Sequence, residues 1–392
     1  MSLRALPEIV INGRFLMQPV TGVQRVAREL VRALDHLVTD EARPVHLRLV
    51  CEPGADVSDL DLQVTTVERA GGASGHLWEQ TVLPRRVHGG HLLCLGNTAP
   101  LAALYAAHPT TVMIHDLSYR QFPGAYRLHY RIGHRMMLPF LLRRAHTILT
   151  VSETEKAVLG NLRPTALRKI RVTPNGGWRD GQVQRRGPVP AESSGYVLYV
   201  GSLSRRKNIH GVLAVAVRLA REDGIATLLV GGTSDILSPI ASAVPQDVRH
   251  LVRFIGPVTD LDELADLYRN AGCLLFPSLY EASPLPPIEA MSFGCPVVVS
   301  AIPSMTERCA AAALYCDPDD ADGMARVVRR AIRDRAWIAE RIERAYRHAA
   351  RLTWHEQAER VIAALTGQPI VRQTRQLEKT LPVRERILAD LH

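Results

Sequence analysis

No stretch of about 18 uncharged apolar residues occurs anywhere in the 392-residue chain, so a membrane-spanning helix of ordinary length is not expected. The segment Met1–Glu8 lacks the long apolar core of a signal peptide, so export is not expected and a cytoplasmic location is. Cysteine is scarce: six residues, at positions 51, 94, 273, 295, 309 and 316, without Cys-x-x-Cys spacing and mostly inside apolar runs. That pattern favours buried, reduced thiols over a disulfide framework. No His/Cys cluster has metal-ligand spacing, so no metal site is expected. A nucleic-acid motif, a solenoid repeat and a low-complexity tract are also missing, and nucleic acid is not an expected partner.

What is present is a soluble globular composition, 46% hydrophobic and 22% charged, at a length that favours two domains of ordinary size. The net charge of +9 is unevenly placed. Residues 1–186 hold 24 Lys+Arg against 15 Asp+Glu, and the remainder holds 24 of each, so the excess lies in the first half. An anionic partner for that half follows.

Apolar runs that read as buried parallel strands alternate with helical patterns throughout. In the first half they are Ile9–Ile11, Val45–Val50, His91–Leu95, Thr111–Ile114, Thr147–Val151 and Ile170–Val172. In the second they are Tyr196–Val200, Ala226–Val230, Val252–Ile255, Cys273–Phe276 and Val297–Val299. The alternation predicts an α/β protein with two Rossmann-like domains facing across a cleft. Residues 1–180 form the first, 181–195 a Gly/Pro/polar linker, 196–366 the second, and 367–392 a polar tail. Ligands of open α/β sheets bind beyond the carboxyl ends of the strands, which places the expected site in the cleft.

Tyr280 to Met291 carries the most informative chemistry: Glu281 and Glu289, seven residues apart, follow the run Cys273–Pro277. A residue before proline is pushed away from the helical region and proline is welcome only at a helix start, so a helix is predicted from Pro287. Glu281 then lies in a loop and Glu289 in a first turn, where the macrodipole favours anionic oxygens. After Val200 comes Gly201-Ser202-Leu203-Ser204-Arg205-Arg206-Lys207, a glycine turn with three cations before a helix. Such a run is either a solvated helix start or a phosphate-binding loop. Pro19–Val26 leads into an amphipathic helix with Val26, Leu30, Val31 and Leu34 at helical spacing. His115-Asp116 ends the strand Val112–Ile114, and Tyr126–His146 holds Arg127, Arg131 and Arg135 at i,i+4 spacing. Leu128, Ile132, Met136 and Phe140 run along another face of that helix, which Pro139 is expected to kink or end. It reads as an ordinary surface helix or as a face for a membrane surface or lipid diphosphate.

The Glu-x7-Glu pattern, its Glu-Ala-Met helix and the Gly294–Ser300 turn and strand resemble retaining glycosyltransferases of family 4, group 1 glycosyltransferases with the B-type two-domain fold, here most like a mannosyltransferase. The resemblance implies a nucleotide-sugar donor, no cofactor, and a terminal segment that crosses back to the first domain, with Trp354–Leu365 as the start of its helix and the 367–392 tail following it. It makes Lys207 and Arg206 diphosphate ligands, Glu281 a ligand of the sugar ring and His115 a catalytic residue beside the transferred sugar. Donor contacts are implied for Gly22, Gly201, Ser202, Val258, Asp260, Ser283, Leu285 and Glu289, the last holding ribose hydroxyls. Arg127, Arg131 and Arg135 become the face for an acceptor or membrane. Departures stand at Ser202, where many members have Arg, and at Ala282 and Pro284, where glycine is common; Pro284 has no main-chain donor.

Guanine offers an N1–H and an exocyclic amine that one carboxylate accepts together, so Asp260 points to a GDP-sugar unless it caps the following helix, and the resemblance makes that sugar mannose. The expected reaction is metal-independent transfer of a hexose to a lipid-linked glycan at the inner face of the membrane. A UDP- or dTDP-sugar donor, an epimerase on the same scaffold, and a non-catalytic sugar-nucleotide-binding protein remain alternatives.

Overall fold

The computed structural model describes residues 7–41, 44–179, 195–232 and 243–367. They divide into two units. The first carries strands β1 (Glu8–Asn12), β2 (His46–Cys51), β3 (Thr66–Arg69), β4 (His91–Cys94), β5 (Thr110–Ile114), β6 (Thr147–Thr150) and β7 (Ile170–Val172). They pair in parallel in the order β3-β2-β1-β4-β5-β6-β7. Helices α1 (Gly22–Asp40), α2 (Gly75–Thr81), α3 (Leu101–Leu104), α4 (Ser118–Gln121), α5 (Leu128–Arg144) and α6 (Glu153–Leu162) fill the crossovers. The inner strands are buried on both faces, which is why they read as continuous apolar runs rather than alternating ones.

The second unit repeats the plan with β8 (Val197–Val200), β9 (Thr227–Val230), β10 (Val252–Gly256), β11 (Cys273–Phe276), β12 (Val297–Ser300) and β13 (Leu314–Cys316). Their order is β10-β9-β8-β11-β12-β13, again parallel. Its described helices are α7 (Ile209–Asp223), α8 (Leu261–Asn270), α9 (Pro286–Ser292), α10 (Pro303–Cys309), α11 (Ala321–Arg333) and α12 (Arg335–Ala349). Strand order reverses between β1 and β4 in one sheet and between β8 and β11 in the other. Loops after those strands flank the crevices where doubly wound sheets hold ligands.

The seam differs from the expected one. Gly177–Arg179 belong with the second unit, because Trp178 is buried there edge-on to Phe293 at 4.8 Å and to Tyr268 at 6.2 Å. A further helix, α13 (Trp354–Thr366), falls inside the 196–366 boundary but joins the first unit, as the resemblance implied for Trp354–Leu365. Trp354, Ala358, Val361 and Ile362 are buried, and Gln357 Nε2 donates to Thr173 O and Asn175 Oδ1 at 3.0 Å each. A Cβ on Gly176 would lie 2.5 Å from the Trp354 ring, so only glycine admits that packing. The linker residues 181–194 and the tail beyond Gly367 lie outside the described residues.

Three local expectations also need correcting. The edge strands β3 and β13 had no counterpart in the sequence reading. Helix α5 does not end at Pro139 but runs through it to Arg144: Pro139 and Arg135 are both exposed, so solvent can satisfy the carbonyl that proline leaves without its N–H. Helix α9 begins at Pro286, with Leu285 already in the right-handed helical region at φ −82°, ψ −47°. All six cysteines are free and buried, as their spacing implied.

Candidate functional site

Two loops at the carboxyl ends of β8 and β11 are stitched together in the second unit. Leu279 N donates to Arg206 O at 2.9 Å, and Arg206 Nη1 donates back to Tyr280 O at 3.0 Å. Glu281, 7% exposed, accepts from Lys207 Nζ through Oε1, and Arg206 Nη1 lies 3.4 Å from the same oxygen. Lys207, itself buried, also sits 4.6 Å over the Phe276 ring. Burial pushes the Glu281 carboxyl up, but the charges of Lys207 and Arg206 and the Lys207 hydrogen bond outweigh it and hold the pKa below its ordinary value. Two cations and one carboxylate leave a net positive charge at the crevice. Lys207, Arg206 and Glu281 are therefore one cluster rather than three separate ligands.

The glycine turn before them owes its shape to a close approach. Gly201 has φ +157° and Gly231, after β9, has φ +154°; a Cβ on Gly231 would lie 1.9 Å from Gly201 O. No other residue fits between those backbones. Tyr199 Oη donates to Ser202 O at 2.8 Å and holds the turn, while the Ser202 side chain is exposed and 3.2 Å from Ser204 Oγ.

Glu289 lies in the first turn of α9 as predicted, but it is fully buried, and Tyr268 Oη donates to its Oε2 at 2.8 Å. The first turn is a poorer anion socket than expected. Pro286 and Pro287 have no N–H, and Ile288 N donates to Leu285 O at 3.0 Å. The main-chain N–H groups that flank Pro284 belong to half-buried Ser283 and buried Leu285. Asp260 realises its alternative reading: Oδ1 caps α8, accepting from Asp262 N at 2.8 Å and Glu263 N at 3.1 Å. Val258 is partly buried against the apolar core of this unit.

In the first unit, His115 follows β5 and is buried. Its main-chain N–H donates to Asn97 Oδ1 at 2.7 Å, and its Nε2 lies 2.7 Å from Leu95 O, a pure acceptor, so Nε2 carries the proton. Burial pushes its pKa down, against the Leu95 hydrogen bond and the Asp116 charge, leaving Nδ1 of a neutral ring as an acceptor. His115 can thus receive a hydroxyl proton but its amide is already engaged. Asp116 Oδ1 accepts from Ser118 N at 2.9 Å and Ser118 Oγ at 2.6 Å. Gly22 is the first residue of α1, behind a Thr21–Gln24 capping box, with nothing within 4 Å of the position of a Cβ. Arg127 is the N-cap position of α5, with Arg131 and Arg135 one and two turns on.

Sequence reasoning missed a buried network at the β1/β4 crevice. Arg14 Nε lies 3.3 Å from Glu79 Oε2, and its Nη2 donates to Thr98 Oγ1 at 3.1 Å. Asn12 Nδ2 donates to Glu79 Oε1 at 2.7 Å. Burial pushes the Glu79 carboxyl up, while His76, Arg14, Thr98 and Asn12 together hold it below its ordinary value. The available signal was Asn12-Gly13-Arg14 directly after a central strand. Tyr126, Tyr130 and His134 also stack in sequence, with ring centroids 5.3 and 3.9 Å apart.

Metal independence also gains nothing from the acidic motifs, since Asp-x-Asp tripeptides stand at 59–61, 260–262, 317–319 and 320–322. Asp260 and Asp320 cap helices there. Glu41, His355 and Glu359, too far apart in sequence for a spacing rule, bring ligand atoms within 4.8 Å of one another on the first unit.

Residues 182–352 match the model of the family described as glycosyl transferases group 1. The O-antigen chain mannosyltransferase RfbU of Salmonella typhimurium is 30% identical over 211 residues, covering 54% of this chain and 57% of that protein. A glycogen synthase of Mycobacterium tuberculosis is 30% identical over 260 residues, 64% of this chain and 61% of that one. The chain thus spans about 60% of the length of these curated relatives. The crystal structure of HepE from Anabaena in complex with UDP and glucose superposes with a TM-score of 0.69 at 14% identity, covering 92% of this chain and 100% of that one, a likeness of fold. The chain carries a glycosyl transferases group 1 domain over residues 182–352, within a fold of the glycosyltransferase B type.

Proposed function

We propose that this chain is a retaining glycosyltransferase that moves mannose from GDP-mannose onto a lipid-linked oligosaccharide during cell-surface polysaccharide assembly. The observation that carries the reading is the Lys207–Arg206–Glu281 cluster at the β8/β11 crevice, inside the matched domain. Similarity to O-antigen chain mannosyltransferases supports the sugar and the acceptor class. An ammonium has three donors, so Lys207 can keep Glu281 while donating to a phosphate oxygen. Lys207 and Arg206 then offset the charge that develops on the departing diphosphate without a metal ion, and Glu281 accepts from sugar hydroxyls. Glu289, oriented by Tyr268, accepts from the ribose. His115, a neutral acceptor at Nδ1, orients a hydroxyl of the transferred sugar. Retention of configuration rests on the resemblance alone. The chain is expected to work at the inner membrane face, and no helix among the described residues is long and apolar enough to cross a membrane.

A second reading, a UDP- or dTDP-sugar donor, is favoured by Asp260, whose Oδ1 is committed to capping α8. Thermal-shift titration with GDP, UDP, dTDP and their sugars, with and without magnesium, separates the two. Selective metal-free stabilisation by GDP and GDP-mannose supports the first reading. Selective response to UDP or dTDP overturns the guanine assignment, and no response to any nucleotide overturns the donor site.

A further inference from the structure

We propose that the outer face of α5 is a docking surface for an anionic lipid bilayer, with Leu128, Ile132, Met136 and Phe140 entering the headgroup region. This deepens the lipid side of the proposed function and is independent of which nucleotide the second unit binds. Helix α5 buries His134, Leu138, Leu141 and Leu142 against the first unit. It leaves a second apolar stripe outside: Leu128 is 64% exposed, Ile132 49%, Met136 67% and Phe140 38%. Spaced at i,i+4, these four lie on one side of the helix. Single exposed apolar residues are ordinary; a continuous stripe is not. Helix α3, which packs against α5, exposes Leu101, and Tyr105 at its end is exposed as well. Arg144 lies 4.7 Å over the Tyr105 ring.

Charge selects the occupant. Between Asp116 and Glu153 the chain has no acidic residue and six arginines, at 120, 127, 131, 135, 143 and 144. Arg127 and Arg135 are exposed beside the stripe and Arg131 is half-buried there; Arg143 and Arg144, both exposed, close its end. An apolar stripe whose own segment carries cations and no carboxylate matches a surface that is apolar below and anionic above, where guanidinium groups meet lipid phosphates as the side chains between them leave water. A protein partner would require acidic residues to meet the arginines; a second copy of this face would bring arginine against arginine.

The test is co-sedimentation of the whole protein with phosphatidylcholine vesicles, with and without phosphatidylglycerol. The wild-type chain is expected to bind the mixed vesicles and not the neutral ones, with binding that weakens as salt rises. Ile132→Glu with Met136→Glu is expected to reduce the vesicle-bound partition at least about tenfold, since two side chains no longer enter the apolar layer. Arg131→Gln with Arg135→Gln is expected to weaken binding several-fold and flatten the salt dependence. All four positions are partly or largely exposed, so both variants are expected to keep the wild-type melting temperature and its response to GDP or UDP. That response reports on the donor site separately, so its loss in the wild type would count against the nucleotide reading and not against this one. Absence of binding to mixed vesicles, or unchanged binding in the Ile132→Glu, Met136→Glu variant, overturns the proposal. So does a wild-type dimer in light scattering that this variant makes monomeric, which would assign the face to a second copy.

Discussion

Replacing Lys207 with Met removes the charge that lies on Glu281 and leaves a buried carboxylate with Arg206, at 3.4 Å, as the remaining cation beside it among the described residues. Breaking a buried ion pair from one side costs about 3–5 kcal/mol, because the surviving charge has lost its partner and cannot recover water. Arg206 remains beside Glu281, which places the expected loss at the lower end, about 3 kcal/mol. For a unit of this size that corresponds to roughly 6–12 °C in melting temperature. The second variant is Glu281→Gln and the third combines both changes. In Lys207→Met, Glu281→Gln the buried charge is gone, and replacing both partners of such a pair is often close to neutral, so most of the loss is expected to return. Urea unfolding followed by circular dichroism, with hydrogen exchange to confirm that the segments 197–207 and 273–289 are the ones loosened, gives the coupling energy. A double variant as unstable as the sum of the singles would refute the reasoning, since it would mean that Lys207 and Glu281 do not stabilise each other.

Four further outcomes follow from the same geometry. Glu281, held below its ordinary pKa in the folded state, stabilises the second unit above the unfolded carboxylate value and loses that contribution as pH falls through the folded pKa; urea unfolding across acidic pH should show a steeper decline in wild type than in Glu281→Gln. His91, buried beside Thr111 at 2.7 Å, has its pKa pushed down to about 4 by burial first and by the His146 charge next, so the unfolded state takes up its proton first. Stability of the first unit should therefore be lost as pH falls from about 6.5 towards 4, by on the order of 3 kcal/mol, and His91→Gln should flatten that slope in pH-resolved denaturation. Tyr268→Phe removes the donor to buried Glu289 and is expected to cost about 1–3 kcal/mol and weaken nucleotide binding, read by denaturation and calorimetry. Gly231→Ala sets a methyl against Gly201 O and should lower the melting temperature and abolish the nucleotide response together.

The parallel sheets were legible because burial on both faces writes an inner strand as an apolar run; the nine inner strands are found where such runs stand, as are the edge strands β7 and β10. The two that were not announced sit at sheet edges. β3 reads Thr-Val-Glu-Arg and is mostly exposed, so no apolar run marks it, and β13 has three residues, too few to show a period. The placement of α13 in the first unit followed from the resemblance and not from its own residues. Its own sequence is an ordinary amphipathic helix; what assigns it to the first unit is Gly176, 178 residues earlier, whose missing side chain admits Trp354. A sequence pattern records which face of an element is apolar and does not record which distant surface will cover it.

The site shows the same division. Glu281, Glu289, Arg206 and Lys207 were identifiable because loop position and charge are local properties. Their pairing was not, since it depends on two loops 74 residues apart being stitched by Leu279 N and Arg206 O. That pairing changes the chemistry expected of each residue. As separate ligands, two cations and a carboxylate would each wait for a substrate group; as a cluster they already satisfy one another, and a diphosphate must be bound by the net charge that remains. The cations are thereby held in place before a donor arrives, and the order they save is order that binding need not supply. The same logic explains why Asn12, Arg14, Glu79 and Thr98 escaped notice in the first unit: each is unremarkable in its own segment, and only the crevice between β1 and β4 makes them a network.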